Sequence, residues 1–131
     1  MEINVFQTKI HEIRGVKVIF DFDLAALYEV ETKVLNQAVK RNLIRFPEDF
    51  MFQLTLSEWD RNSSQFVTSS SKHRGNTYLP YVFTEQGVAM LSSVLRSEKA
   101  ALINIAIMRT FVEIRKTIAL ESSLSQQILE L

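Results

Sequence analysis

The chain has 131 residues, 47% hydrophobic and 10% aromatic, which suits one domain with a buried core and leaves little room for a second. Fifteen Lys and Arg balance fifteen Asp and Glu, excluding a uniformly basic nucleic-acid coat, and the absence of cysteine excludes disulfides, thiolate metal sites and cysteine nucleophiles. No apolar run approaches the roughly 18 residues of a membrane span, and MEINVFQ lacks the features of a signal peptide, so a cytoplasmic protein with no membrane contact is expected.

In chain order, KIHEIRGVKVIF surrounds Arg14-Gly15 with β-branched residues and predicts a short hairpin turning at Gly15. Asp21 and Asp23 precede LAALY as capping and dipole partners of a first helix, with Leu24, Leu27 and Tyr28 as its buried stripe. After a turn at Glu29 to Glu31, Thr32 is the expected N-cap of a second helix, from Lys33 to about Asn42, and Pro47 forbids its continuation. On a helical wheel Lys33, Asn36, Gln37, Lys40 and Arg41 fill an arc of about 140°, opposite Val34, Leu35, Ala38 and Val39. Asn42 falls on the apolar side but at the helix end, where an asparagine serves the C-terminal turn.

FPEDFMFQLT alternates as a half-buried strand, with Phe50, Phe52 and Leu54 on one face. Ser57 and Asp60 resemble a capping box for a short helix carrying Trp59. Residues 61–76 then read as a long polar, basic loop, and TYLPYVFT as a strand that Pro80 assigns to an edge or a bulge. Thr84 caps EQGVAMLSSVLR, with Gly87 allowing close packing, and Ser97 opens a long helix to about Leu120 that is apolar nearly all round from Ala100 to Met108. Beyond it Leu124, Ile128 and Leu131 continue at helical spacing. Domain boundaries of 1–120 for the folded unit and 121–131 for a helical tail follow, the tail expected to lead into a coiled coil or a further region.

The charges are segregated although the total is zero. Residues 32–47 carry Lys33, Lys40, Arg41 and Arg45 without an acid, and residues 61–84 carry Arg61, Lys72 and Arg74 without an acid. Two such segments make one positive surface if they meet in space. Helix, short turn and a second helix polar outward is the helix-turn-helix plan, with Leu24, Ala25, Tyr28, Val30, Leu35 and Ala38 at its contact positions. Its turn favours glycine, and here stands Glu29. Lys and Arg suit phosphates; Asn36 and Gln37 match an adenine edge, and Arg41 a guanine.

The runs IRGVKVIFDFDLAALYEVETKVLNQAVKRNLIRFPEDFMFQLT and LPYVFTEQGVAMLSSVLRSEKAALINIAIMRTFV closely resemble the phage and bacterial domain called the ORF-six N-terminal domain, a relative of the KilA-N and Bro-N domains. The resemblance spans about residues 8–115 and is carried most specifically by VKRNLIRFPEDFMFQLT and FTEQGVAML. It implies a DNA-binding domain at the head of a phage or prophage regulatory protein of antirepressor type. Glu29 departs from the glycine common there, and HRGNT is less glycine-rich than the usual loop.

Other chemistry is poorly supported. His11 and His73 lie far apart with no partners at ligand spacing, Glu48-Asp49 reads as a solvated turn, and there is neither a phosphate loop nor a nucleophile elbow. The expectation is therefore a small α+β DNA-binding domain with no catalytic residues, metal, cofactor or small-molecule substrate. It has an N-terminal hairpin, a helix-turn-helix, a strand pair with a long basic loop, and two packing helices. Lys33, Asn36, Gln37, Lys40 and Arg41 form its reading face on double-stranded DNA, with Arg45, Arg61, Lys72 and Arg74 on phosphates. Self-association as a homodimer through the C-terminal helix is expected. The alternative is a protein-interaction module, an antirepressor that binds a repressor or a dimerisation scaffold, with no direct DNA contact.

Overall fold

The computed structural model describes residues 5–66 and 79–129. The fold is α+β: a four-stranded antiparallel sheet, in the order β1-β2-β4-β3, with helices on both faces. A short helix α1 (Val5–Lys9), for which the sequence has no clear signal, leads into the hairpin of β1 (His11–Ile13) and β2 (Val16–Phe20). Arg14 and Gly15 both take positive φ, 56° and 76°, the conformation a two-residue hairpin turn requires, so the turn falls where the sequence put it.

Helices α2 (Asp21–Tyr28) and α3 (Thr32–Lys40) follow, then a 3-10 turn (Leu43–Arg45) and β3 (Met51–Gln53). Next come α4 (Leu56–Phe66), β4 (Tyr81–Thr84), α5 (Glu85–Val94) and α6 (Glu98–Leu129). Strand β4 pairs with β2 on one side and β3 on the other, so the expected hairpin and strand pair are one sheet. This corrects the reading of Pro80: β4 is interior, and the proline stands just before it, where its carbonyl accepts from the Leu54 amide at 3.0 Å.

Side chains alternate across the sheet, and both faces are covered. Ile19, Phe83 and Met51, aligned across three strands, point into the larger apolar cluster with α2, α3, α5 and α6. Val18, Phe20 and Val82 point the other way, against Phe22 and Trp59. The Trp59 ring meets Phe20 and Phe22 edge-on, with centroids 5.9 and 6.3 Å away, which pins α4 to this face. The sheet therefore stands between α3 and α4.

Four further expectations change. The capping box of α4 is Thr55 with Glu58, not Ser57 with Asp60: Thr55 Oγ1 accepts from the Glu58 amide at 3.1 Å, and Glu58 Oε1 accepts from the Thr55 amide at 2.8 Å. That helix runs to Phe66, so the first six residues of the expected loop are helical. The segment Ala100–Met108 is not buried all round, since Leu102 is 62% exposed and Ile105 47%. Helix α6 continues unbroken through Ser122-Ser123 to Leu129, about 48 Å for its 32 residues at 1.5 Å each.

Two expected caps are in place. Thr84 Oγ1 accepts from the Gly87 amide at 3.3 Å, and Ser97 Oγ accepts from the Ala100 amide at 3.1 Å. Gly87 has to be glycine, because a Cβ there would stand 2.0 Å from the Phe50 carbonyl oxygen.

Candidate nucleic-acid interface

The pose of α3 begins with the turn before it. Glu29 takes φ 61° and ψ 42°, the left-handed conformation that closes α2. The Val30 amide donates to the Ala25 carbonyl at 2.9 Å and the Glu29 amide to that of Ala26 at 3.2 Å, the paired bonds of a Schellman cap. The backbone thus keeps the geometry that glycine would favour, with a side chain in place. Glu31 is extended, and the Leu35 amide makes the first bond of α3 to its carbonyl at 3.1 Å. Thr32 is consequently the first helical residue, not the cap, and the cap residue Glu31 makes no side-chain cap bond.

Leu35 and Val39 are the residues that α3 buries. A second anchor is polar. Asp21, fully buried, accepts from the Phe22 amide at 2.7 Å, from Asn36 Nδ2 at 3.0 Å and from the Tyr81 amide at 3.2 Å. One carboxylate thus ties α2, α3 and β4 together and orients α3 on the sheet. The sequence reading of Asp21 as a helix cap is corrected: Phe20 is the cap residue, with no side-chain bond, and Asp21 lies inside the first turn. Asp23 pairs with Lys9 at 3.6 Å.

At the other end, Asn42 Nδ2 donates to the Ala38 carbonyl at 2.9 Å, closing the C-terminal turn as its position suggested. The 3-10 turn is held by the Arg45 amide on the Asn42 carbonyl and by buried Phe46, which packs edge-on against Phe83. From this anchored turn Leu43 and Ile44 face outward, Ile44 95% exposed.

The expected site residues divide into groups. Lys33, Gln37 and Lys40 are exposed on α3, and Arg41 is exposed at its C-cap. Arg45 is exposed just beyond, with Nη1 3.3 Å from Ser93 Oγ. Asn36 is half-buried and turns its amide nitrogen inward to Asp21. Arg61, exposed on α4, donates to Ser57 Oγ at 3.4 Å and lies on the opposite side of the sheet from α3. Lys72 and Arg74 lie outside the described residues, as does the 67–76 part of the expected loop. The outer face also holds a residue the wheel assigned to the core side: Val34, 47% exposed. It stands about 20° from Arg41 on the wheel, a signal the sequence did contain.

What sets this region apart is that its unpaired cations are clustered; Lys17, Arg61, Arg96 and Arg109 are also without an ion pair among the described residues but lie scattered along the chain. Lys9, Arg14, Lys99, Arg115 and Lys116 each pair with a carboxylate. Among the described residues, Lys33, Lys40, Arg41 and Arg45 have no such partner within 4 Å. An uncompensated cationic helix face on a rigid support can exchange its counterions for phosphates. His11, by contrast, lies against Phe20 with the rings tilted at 58° and their centroids 5.3 Å apart, and burial with neighbouring Lys9 holds its pKa down. No described group of three His, Asp or Glu side chains is placed to hold a metal ion, and no described helix is long and apolar enough to cross a membrane.

An α+β domain that presents a cationic helix from a buried polar anchor is thus the class defined by fold and site. The model of the ORF6N domain matches residues 8–94, the greater part of the chain, and the chain belongs to that family, a phage-type regulatory domain. The match ends at Val94, short of the resemblance read to about residue 115, so α6 lies beyond it. No curated protein and no solved structure matches the chain.

Proposed function

We propose that this domain binds double-stranded DNA, with α2 and α3 acting as a helix-turn-helix unit and α3 as the recognition helix, in a regulatory protein of antirepressor type without catalytic activity. The observation that carries the reading is the set of four exposed cations from Lys33 to Arg45, none of them ion-paired among the described residues, in a segment that contains no acid. An α-helix fits the major groove, and Gln37 and Arg41 carry the donors and acceptors suited to adenine and guanine edges. Arg45, at the helix exit, suits a phosphate. Arg61 lies across the sheet and belongs to this contact only if the duplex also reaches the second face.

The test is a titration of the full chain against mixed-sequence duplex DNA over a salt series. Affinity falls steeply with salt, and Lys40→Ala weakens binding to all sequences while lowering the slope of log K against log salt by about one. Binding indifferent to salt, or unchanged in the Lys40→Ala, Arg41→Ala double variant, refutes the reading.

A second reading, self-association through α6, is favoured by Leu120, Leu124 and Ile128, 61%, 49% and 68% exposed on that helix. It is compatible with DNA binding, because α3 lies elsewhere.

A further inference from the structure

Val34 is an exposed valine with no evident part in folding. It belongs to neither apolar cluster, and Leu35 and Val39 make the buried contacts of α3. Valine is also a poorer helix former than alanine, so an exposed valine in a helix does not help the helix. What surrounds it is specific: Lys33 precedes it, Gln37 is one turn on and Arg41 two turns on, all exposed. The result is an apolar side chain at the edge of a cationic, amide-bearing helix face, separate from the exposed Leu43 and Ile44 that follow the helix. Being β-branched, it holds one strongly preferred rotamer in a helix and presents its methyl groups without much freedom to withdraw them.

In the major groove the one apolar group on a base edge is the thymine C5 methyl, and adenine, its pairing partner, offers the N6 and N7 positions that a glutamine amide matches. Val34 and Gln37 are neighbours on one helix face at i and i+3 spacing. Asn36, the other amide of this stretch, is half-buried and turns its nitrogen inward to buried Asp21, away from the outer face on which Gln37 is exposed.

We propose that Val34 is a specificity-determining residue that packs against a thymine methyl while Gln37 reads an adenine beside it, so that the face of α3 selects A·T pairs through the Val34–Gln37 pair and not through Asn36–Gln37. The inference rests on the DNA-binding reading above and adds the base class and the side chain that reads it. Charge favours DNA over a protein partner here, since Lys33, Lys40 and Arg41 around Val34 pair with no carboxylate among the described residues.

The experiment uses the full chain and a duplex enriched by it from a random-sequence pool, made once with thymine and once with deoxyuridine, which lacks only the methyl. Wild type binds the thymine duplex about fourfold more tightly, the effect of one buried methyl group. Val34→Ala, which replaces valine with the best helix former, loses that preference and keeps the wild-type salt slope because no charge is removed. Equal binding of the two duplexes by wild type, or a preference that survives Val34→Ala, overturns the assignment while DNA binding stands. Failure to enrich any duplex from the pool overturns the DNA-binding reading and this inference with it. That outcome, with Val34→Ala abolishing association with a protein partner, would assign the face to protein recognition.

Discussion

Glu29 holds a left-handed backbone at φ 61°, a conformation that costs a residue with a Cβ about 1–2 kcal/mol. Its carboxylate lies 2.8 Å from Lys99 Nζ, but both side chains are largely exposed, so the pair offsets at most about 1 kcal/mol. Glu29→Gly is therefore expected to raise stability by about 0.5–1 kcal/mol, seen as a higher urea midpoint at unchanged slope; a lower midpoint would mean that the ion pair outweighs the strain. The sequence made this position legible, because the spacing of Leu24, Ala25, Val30 and Leu35 demands a sharp turn there whatever residue fills it. The partner of Asn36 was not legible. A polar side chain on a helix reads as outward unless its acceptor is known, and Asp21 is 15 residues away and looked like a cap. Val34 was misplaced for the opposite reason: hydrophobicity was allowed to outrank its angular position.

Among the elements, α4 depends most on polar detail. The guanidinium of Arg14, hydrogen-bonded to Glu58 at 2.8 and 2.9 Å, and the Thr55 amide and hydroxyl hold the Glu58 carboxyl down at about 2. A carboxyl whose pKa is lowered on folding stabilises the fold when ionised. Its contribution is complete above the ordinary glutamate value of 4.5 and is lost as pH falls toward about 2. Wild type should exceed Glu58→Gln in stability by at most about 1 kcal/mol, because the pair lies near the surface. Chemical denaturation along an acid series should show that gap closing below pH 4.5, and a gap that widens with acid would contradict the assignment. The helix was only partly legible. Its capping box lay two residues from the pattern chosen, and the Ser- and Asn-rich composition of its second half argued for a loop. Composition alone could not register a helix already nucleated by the box and by Trp59. Helix α1, five residues without a buried side chain, gave no periodicity to find.

At the scale of the molecule, strand identities were readable from alternation but the joining of β2 to β4 was not, because pairing between segments more than 60 residues apart leaves no local pattern. Buried residues of α6 end at Phe111, so its later turns are not part of the core. Removing residues 121–131 should therefore abolish self-association, as read by sedimentation or light scattering, and remove any dependence of the unfolding midpoint on protein concentration, while leaving the midpoint measured at high dilution unchanged. An unchanged oligomeric state would remove the tail from any role in pairing. The same helix carries Asn104, whose carbonyl oxygen accepts from the Tyr28 hydroxyl and whose amide donates to Ser92 Oγ at 2.7 Å and to the Val88 carbonyl at 3.3 Å. Tyr28 is the last residue of α2, immediately before the turn that aims α3. Any shift of α6 along its axis at Asn104 would therefore have to break the Tyr28 bond or carry the end of α2 with it, so a single buried amide fixes the register of the longest helix against the pair that bears the cationic face.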